Sequence, residues 1–385
     1  MRNVRWIDQL KLRVGFGSTG NAGVGAYTTE GRLATEYYTY GSSVQAGYLS
    51  SDPSAATPIT YPDQNLGWEH TSQYNLGVDF SFFKGRIGGS LDTYTSKTTD
   101  LLENAIIPSI NGFTRTLTNV GATANKGFEI TLNTANIQTR DFKWTSTLNF
   151  AINKERITSL PSGNDLGNLW FIGQRIVVYY DYVKDRIWQN TPEDLAEIAK
   201  YKANGQNFSP GDIKVKDLNG DYKIDPNNDK TIVGHASPNW TGGITNTFSY
   251  KNFDLSAFIF SRWGFTIPNI GAESLQGRFA QRVVNYWTPT NPTNDYPAPN
   301  YNSAAGDPFK SSMNYQDGSF IKIRNISLGY TLPSAVSKKL SLSNVRVYVQ
   351  ATNPGLIYSR VSWIDPDLGG STYNRGMVLG LNVGF

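Results

Sequence analysis

Apolar residues recur at every second position along much of this chain, which is the period of a strand with one apolar face. Near the end of the chain Met377, Leu379, Leu381, Val383 and Phe385 alternate with Val378, Gly380, Asn382 and Gly384. The pattern also places Leu10, Leu12, Val14 and Phe16 around Lys11, Arg13 and Gly15, and Tyr74, Leu76, Val78, Phe80 and Phe82 around Asn75, Gly77, Asp79 and Ser81. It returns at Phe128, Ile130 and Leu132, at Leu148, Phe150 and Ile152, at Ile326, Leu328, Tyr330 and Leu332, and at Val345, Val347 and Val349. Taken alone, the alternation predicts a large antiparallel sheet with one face on a core.

The connections change that reading. Short turns at Lys84-Gly85, Thr139 to Asp141 and Lys251-Asn252, with a modest one from Pro333 to Asn344, alternate with long polar segments near 18–68, 98–126, 154–240, 264–316 and 353–375. Compact domains seldom carry loops above ~15 residues, yet here every second connection does. A meander sends alternate connections to opposite ends. The chain is therefore read as all-β, the portion of an antiparallel up-and-down transmembrane β-barrel comprising about ten strands, with long extracellular loops. With those loops outside, the last strand descends and leaves the C-terminus in the periplasm. Each run suits the ~9–11 residues of a tilted membrane strand. Tyr74, Tyr94, Trp144, Tyr250 and Trp263 fall near strand ends, where interfacial girdles form.

The long insertion at 154–240 has its own anatomy. Thr191 followed by Pro192, Glu193 and Asp194 predicts a helix N-terminus, with Leu195, Ile198 and Ala199 as its apolar side and Asn204-Gly205 as its stop.

Composition agrees with a wet barrel. Hydrophobic residues are 39% and charged residues 17%, both low for a soluble domain, while aromatics reach 13%. Mean hydropathy is −0.39, and no stretch nears the ~18 apolar residues of a membrane helix. A net charge of +4 from scattered basic residues argues against nucleic acid. With no Cys, thiolate chemistry is excluded, and His70 and His235, the only histidines, sit in no catalytic motif. The first residues, Met1 to Gln9, lack a signal-peptide pattern, so the expectation is a cytoplasmic chain or one whose beginning is missing.

Three groups of residues carry candidate chemistry. Asp217, Asn219, Asp221, Lys223 and Asp225 offer oxygens at the spacing of an EF-hand-type calcium loop, with Lys223 contributing its carbonyl. Tyr222 stands where that loop wants Gly and Asn228 where it wants a bidentate Glu, so a turn with solvated acids competes with a Ca2+ site. Trp170, Trp188, Trp240, Trp263, Trp287 and Trp363 are loop aromatics whose flat faces suit sugar rings or peptide side chains, although packing between loops explains any one of them as well. The glycine-rich run from Gly15 to Gly25 matches a dinucleotide fingerprint by count but lacks the following helix. Carboxylates such as Asp92 and Asp100, or Glu193 and Asp194, have no spacing that fixes a glycosidase pair, and no enzyme is expected.

At this point a resemblance enters. The chain resembles the C-terminal part of SusC/RagA-type TonB-dependent outer-membrane transporters through Leu10 to Asn21, through Asn65-Leu66-Gly67-Trp68-Glu69 and through Asn119-Val120-Gly121 with Asn125-Lys126-Gly127-Phe128-Glu129. It does so further through the 217–225 loop with Ile232-Val233-Gly234 and Pro238-Asn239-Trp240, and through Phe320 to Tyr330. The final strand, with Leu381, Val383 and Phe385, is similar to the signal read by the outer-membrane assembly machinery. The family has a signal peptide, a plug, a TonB-contacting segment and a barrel of 22 strands. The resemblance thus implies that the plug is absent and that this chain is a C-terminal fragment or truncated product, with Met1 inside the barrel. It also implies import of oligosaccharides or peptides, a SusD-like surface lipoprotein as lid, and TonB acting through the missing part, with this chain not competent alone. A small self-closed pore or adhesin, and a soluble β-rich carbohydrate-binding or hydrolytic protein, stay open beside it.

Overall fold

The computed structural model describes residues 5–23, 29, 34–49, 60–108, 110, 115–161, 163–268, 283–299, 307–339, 341–361, 363–368 and 374–385. Residues 24 and 25 of the glycine-rich run lie outside that set. Ten long strands form one antiparallel sheet, and each pairs with the next in sequence. They are β1 (Ile7–Asn21), β2 (Glu69–Phe82), β3 (Ile87–Thr99), β4 (Ala122–Gln138), β5 (Phe142–Ser159), β6 (Trp240–Tyr250), β7 (Phe253–Trp263), β8 (Phe320–Thr331), β9 (Asn344–Ser359) and β10 (Gly376–Gly384). The strand pattern and the alternation of short turns with long loops are those the sequence predicts. The strands run further than the apolar runs alone indicate: β5 extends to Ser159 and β6 begins at Trp240.

Register makes the sheet two-sided. Directly paired residues share a face, and Leu12 pairs with Val78, Val78 with Leu91, Leu91 with Ile130 and Ile130 with Phe150. Further along, Phe248 pairs with Leu255, Leu255 with Leu328, Leu328 with Val349 and Val349 with Leu379. Every strand thus contributes to one continuous apolar face. Among the described residues nothing covers it: Val14 is 77% exposed and Leu379 76%. No helix among the described residues is long and apolar enough to cross a membrane.

The opposite face is polar and cross-linked. Arg13 on β1 forms a bidentate pair with Asp79 on β2, at 2.8 and 3.0 Å, and reaches Asp92 on β3 at 3.0 Å. Thr131 donates to Asn149, and Thr147 to Asn133. Arg346 on β9 pairs with Asp254 on β7. Tyr94, expected in an aromatic girdle, lies on this face instead: its ring covers Gly127 and its hydroxyl donates to Asn153 at 2.9 Å. A Cβ at Gly127 would lie 2.4 Å from that ring, so only glycine fits beneath it. Tyr74, Trp144 and Tyr250 share the apolar face as expected, since they pair with Phe16, Phe248 and Phe253.

At the long-loop end, parts of two connections fold around a shared core. Helix α1 (Pro192–Ala203) starts at Thr191, whose hydroxyl accepts the Asp194 N–H, and ends at Asn204. Its buried stripe is Asp194, Ile198 and Tyr201, while Leu195 and Ala199 face out. The helix is rotated from the predicted apolar side because the Asp194 carboxylate turns inward to a bidentate pair with Arg186 and accepts the Gln189 N–H. Ile198 and Tyr201 join Ile187, Trp188, Ile213, Val215 and Ile224 of the same connection, and Trp287 and Met313 of the next one.

Candidate functional site

The long-loop end holds a cavity of about 530 Å³ where three connections meet. The β5–β6 connection contributes Tyr182 and Lys184, the β7–β8 connection Asp295, Tyr296 and Tyr315, and the β9–β10 connection Trp363. Tyr182 is placed by a short pair of strands, Val178–Tyr182 against Lys230–His235, in which alternate side chains point to opposite sides. Tyr315 stacks obliquely on Tyr179, with ring centroids 5.5 Å apart, and donates its hydroxyl to Asp181 at 3.1 Å.

Electrostatics keep these walls neutral in the aromatic part. Burial, and then the adjacent Asp181 carboxylate, push the Tyr315 phenol up to about 12. Burial likewise raises Tyr182, with help from Asp181. Lys184 is held by the Asn294 and Asp295 carbonyls at 2.7 and 2.8 Å, and burial lowers its pKa. Lys230 sits 5.0 Å from the Tyr182 ring centre and 3.7 Å from Asp181. A pocket of neutral aromatic faces with carbonyl and hydroxyl edges can hold a polar ligand by stacking and hydrogen bonding.

Of the six tryptophans singled out from sequence, the structure brings Trp363 to this cavity. Trp188 is 1% exposed and Trp287 is buried in the loop core, the first beneath Lys214 at 4.3 Å and the second donating to Gln189. Neither offers a face to a ligand. Trp240 and Trp263 lie at the ends of β6 and β7 on the apolar side, so they belong to the wall and not to the loops, which for Trp263 matches its strand-end reading. Trp170 closes a small turn through two backbone bonds with Asp165. Tyr182, Tyr296, Tyr315 and Lys184 were not foreseen. The dense run Tyr179-Tyr180-Asp181-Tyr182 was the one signal that could have drawn attention to that segment.

The 217–229 loop is organised by its own turns. Asp217 accepts the Gly220 and Tyr222 N–H groups and the Tyr201 hydroxyl. Asn219 and Asp221 bond each other, Asp221 accepts Lys223 N–H, and Asp225 accepts Asn227 and Asn228. Asp229, fully buried, ties the loop shut by accepting Leu218 and Asp225 N–H. Among the described residues no three carboxylate or imidazole groups converge as a cation cage. In this arrangement the acids accept backbone N–H groups in Asx-type turns.

Leu381 and Val383 lie on the apolar side of β10, paired with Val347 and Val345, and Phe385 follows the strand, 97% exposed.

A second polar cluster closes the β9–β10 connection over the polar face. Lys322 on β8 and Asp365 form an ion pair with both side chains sealed from solvent, and Arg324 holds Asp367 at 2.7 and 3.0 Å. Phe265, Ile267, Phe320 and Val361 form a buried hydrophobic cluster of their own.

Comparison with known proteins supports the same architecture. A family model described as the β-barrel of TonB dependent receptor-like proteins matches residues 3–353. The TonB-dependent receptor P3 of Formosa agariphila is 31% identical over 371 residues, covering 92% of this chain and 35% of that protein. The TonB-dependent receptor SusC of Bacteroides thetaiotaomicron is 30% identical over 415 residues, covering 100% of this chain and 38% of that one. The chain therefore spans a little over a third of the length of these relatives. Among solved structures, the RagAB peptide importer in its open-open state superposes with a TM-score of 0.78 at 23% identity, covering 100% of this chain and 41% of that chain.

Proposed function

The chain belongs to the TonB-dependent receptor-like β-barrel family, whose members are outer-membrane transporters and not enzymes, and from that premise we propose that its strands wall an import path for bulky polar nutrients. The two-sided sheet carries this reading. A continuous apolar face without protein cover suits lipid, and a face of Arg13, Asp79, Asp92, Asn133 and Asn149 suits a wet passage. The open ladders of β1 and β10 pair with further barrel strands, because an unpaired edge has no hydrogen-bond partner in hydrocarbon.

In this proposal the long loops are extracellular and the short turns periplasmic, which also places the end of β10 in the periplasm. The cavity among Tyr182, Tyr315 and Trp363 receives one segment of an oligosaccharide or peptide before it moves along the polar face. A SusD-like lipoprotein covers the loops, TonB supplies the energy, and the assembly machinery reads Leu381, Val383 and Phe385. The solved peptide importer among the structural neighbours lends weight to a peptide. Its likeness to this chain lies in the fold, so the oligosaccharide stays beside it.

The test uses the protein in the outer membrane of expressing cells. Fractionation should recover it in the outer-membrane fraction, and detergent-solubilised protein should bind one of two probes, a mixed peptide digest or an oligosaccharide series, more weakly after Trp363→Ala. Recovery as a detergent-free soluble protein overturns the transport reading. Binding unchanged by Trp363→Ala overturns the placement of the site.

A further inference from the structure

Four cations gather on the apolar side of the sheet where the apolar belt ends. Lys126 on β4 pairs directly with Lys154 on β5 and with Thr95 on β3. One level nearer the loops, Ala124 pairs with Lys97 on β3 and with Arg156 on β5. These positions share a face with Phe128 and Ile152, the next pair down, and with Ile130 and Phe150 below them. All four cations are exposed, and none of them forms an ion pair with a carboxylate among the described residues.

Two observations show that this is more than a solvated charge run. Like charges directly opposite each other on neighbouring strands repel, with Cβ atoms about 5 Å apart, yet Lys126 faces Lys154 with Lys97 and Arg156 on the adjoining level. The two levels bring no acid to that face on β1 to β5: the remaining positions are Phe16, Tyr74 and Thr95 on one, and Ser18, Ser72 and Ala124 on the other. The patch also borders a groove of about 430 Å³, lined further by Asn125, by Glu155, whose carboxylate accepts the Ser237 hydroxyl, and on its far side by Gly173, Gln174, Arg175 and Asn239. Aromatic rings flank it on both sides. Phe16 packs against Tyr74 at 4.8 Å on the same level, and Phe150, Trp240, Trp263 and Tyr358 form a run of ring contacts at 5.6, 6.0 and 5.6 Å. Aromatic rings of this kind mark head-group depth in a membrane wall.

The geometry points to a binding site for the phosphate-bearing head group of an anionic membrane lipid, with its acyl chains lying on Phe128, Ile130, Phe150 and Ile152. The inference rests on the transport reading, because it needs the apolar face in lipid. The cations then stand one step above hydrocarbon, where a phosphate relieves the Lys126–Lys154 repulsion and the groove takes the rest of the head group. Each basic residue near such a surface contributes about 1 kcal/mol, which is roughly a fivefold change in affinity.

The experiment uses protein solubilised from the outer membrane in a neutral detergent. Binding is read from tryptophan fluorescence on titration with mixed micelles of phosphatidylglycerol, of phosphatidylcholine, and of lipid A. Saturable binding to lipid A or phosphatidylglycerol micelles over phosphatidylcholine is expected, weakening about fivefold per cation removed in Lys126→Gln and Lys154→Gln and surviving Lys→Arg exchange at the same positions. Equal binding of the neutralised variants overturns the proposal while leaving the transport reading intact. Recovery of the protein outside the membrane fraction overturns both. Competition by inorganic phosphate that displaces the lipid completely shows a free-anion site and overturns the lipid assignment. Should the variants fail to insert, wild-type binding insensitive to added salt is the overturning result, since exposed charge pairs are screened.

Discussion

Trp240 and Trp263 stack across β6 and β7 with ring centroids 6.0 Å apart and planes 8° from parallel. They pair in register on the apolar side, at the end of the sheet where the long loops begin. Stacked aromatic pairs contribute about 0.5–1.5 kcal/mol beyond the area they bury. A double-mutant cycle of Trp240→Ala and Trp263→Ala, read by denaturant unfolding in detergent, should return a coupling in that range. Ligand binding at the loops should be unmoved. A loss of ligand affinity with no coupling would return the two rings to a substrate-stacking role.

The Lys322–Asp365 pair makes a sharper prediction. Both side chains are sealed from solvent, so Asp365→Ala leaves a buried ammonium with only Asp367, 3.6 Å away, to balance it. Removing one partner of a buried pair costs about 3–5 kcal/mol. Limited proteolysis should cut the 360–368 segment far faster in Asp365→Ala than in wild type, and Lys322→Met together with Asp365→Leu should recover much of the protection. Equal cutting in single and double variants counts against the pair as the fastener of this connection.

At the cavity, Trp363→Ala removes one stacking face and should weaken ligand binding about three- to tenfold, the range that a lost aromatic contact implies. Tyr315→Phe removes the donor to Asp181, a hydrogen bond to a charged group worth about 1.5–3 kcal/mol. Its effect should fall on the stability of the cavity wall, read by hydrogen exchange around residues 178–182, more than on affinity. The reverse assignment of effects would exchange the roles given to the two side chains.

His235 gives the loop unit a pH dependence. Burial first, and then Arg175, lower its pKa below the usual 6.5, with Glu155 opposing. The unfolded chain therefore binds a proton at a higher pH than the folded one. Stability from this group is complete above pH 6.5 and is lost as pH falls through 6.5 towards the folded value. Hydrogen exchange in the 230–235 segment should accelerate over that window in wild type and stay flatter in His235→Asn.

What the sequence made legible follows from what lipid and water demand locally. Leu10 to Phe16 and Met377 to Phe385 must alternate because each neighbouring side chain faces a different medium, so the strands could be read one at a time. Trp263 is legible as a strand-end aromatic, whereas Trp240 reads as a loop residue because Gly242, Gly243 and Asn246 break the apolar alternation beside it, and only its pairing with Trp263 across β6 and β7 carries the strand on to Trp240. Trp188 and Trp287 could not be recognised as neighbours, since 99 residues separate them and a different connection supplies each. The oxygen periodicity of 217–225 was visible. Its use in turns depended on Asp229, whose buried carboxylate was indistinguishable in sequence from a solvated one. The cavity needed three connections at once, so its tyrosines carried no spacing that could be read.

The core shared by two connections has a consequence for biogenesis. Trp287 meets Gln189 across 98 residues of chain, and the whole of β6 and β7 lies between them. Hairpins closed by Lys84-Gly85 or Lys251-Asn252 need only local encounter, but this loop unit is of high contact order and must wait for distant partners. The loop unit is therefore the last part of this chain to set, after the hairpins of the sheet have formed.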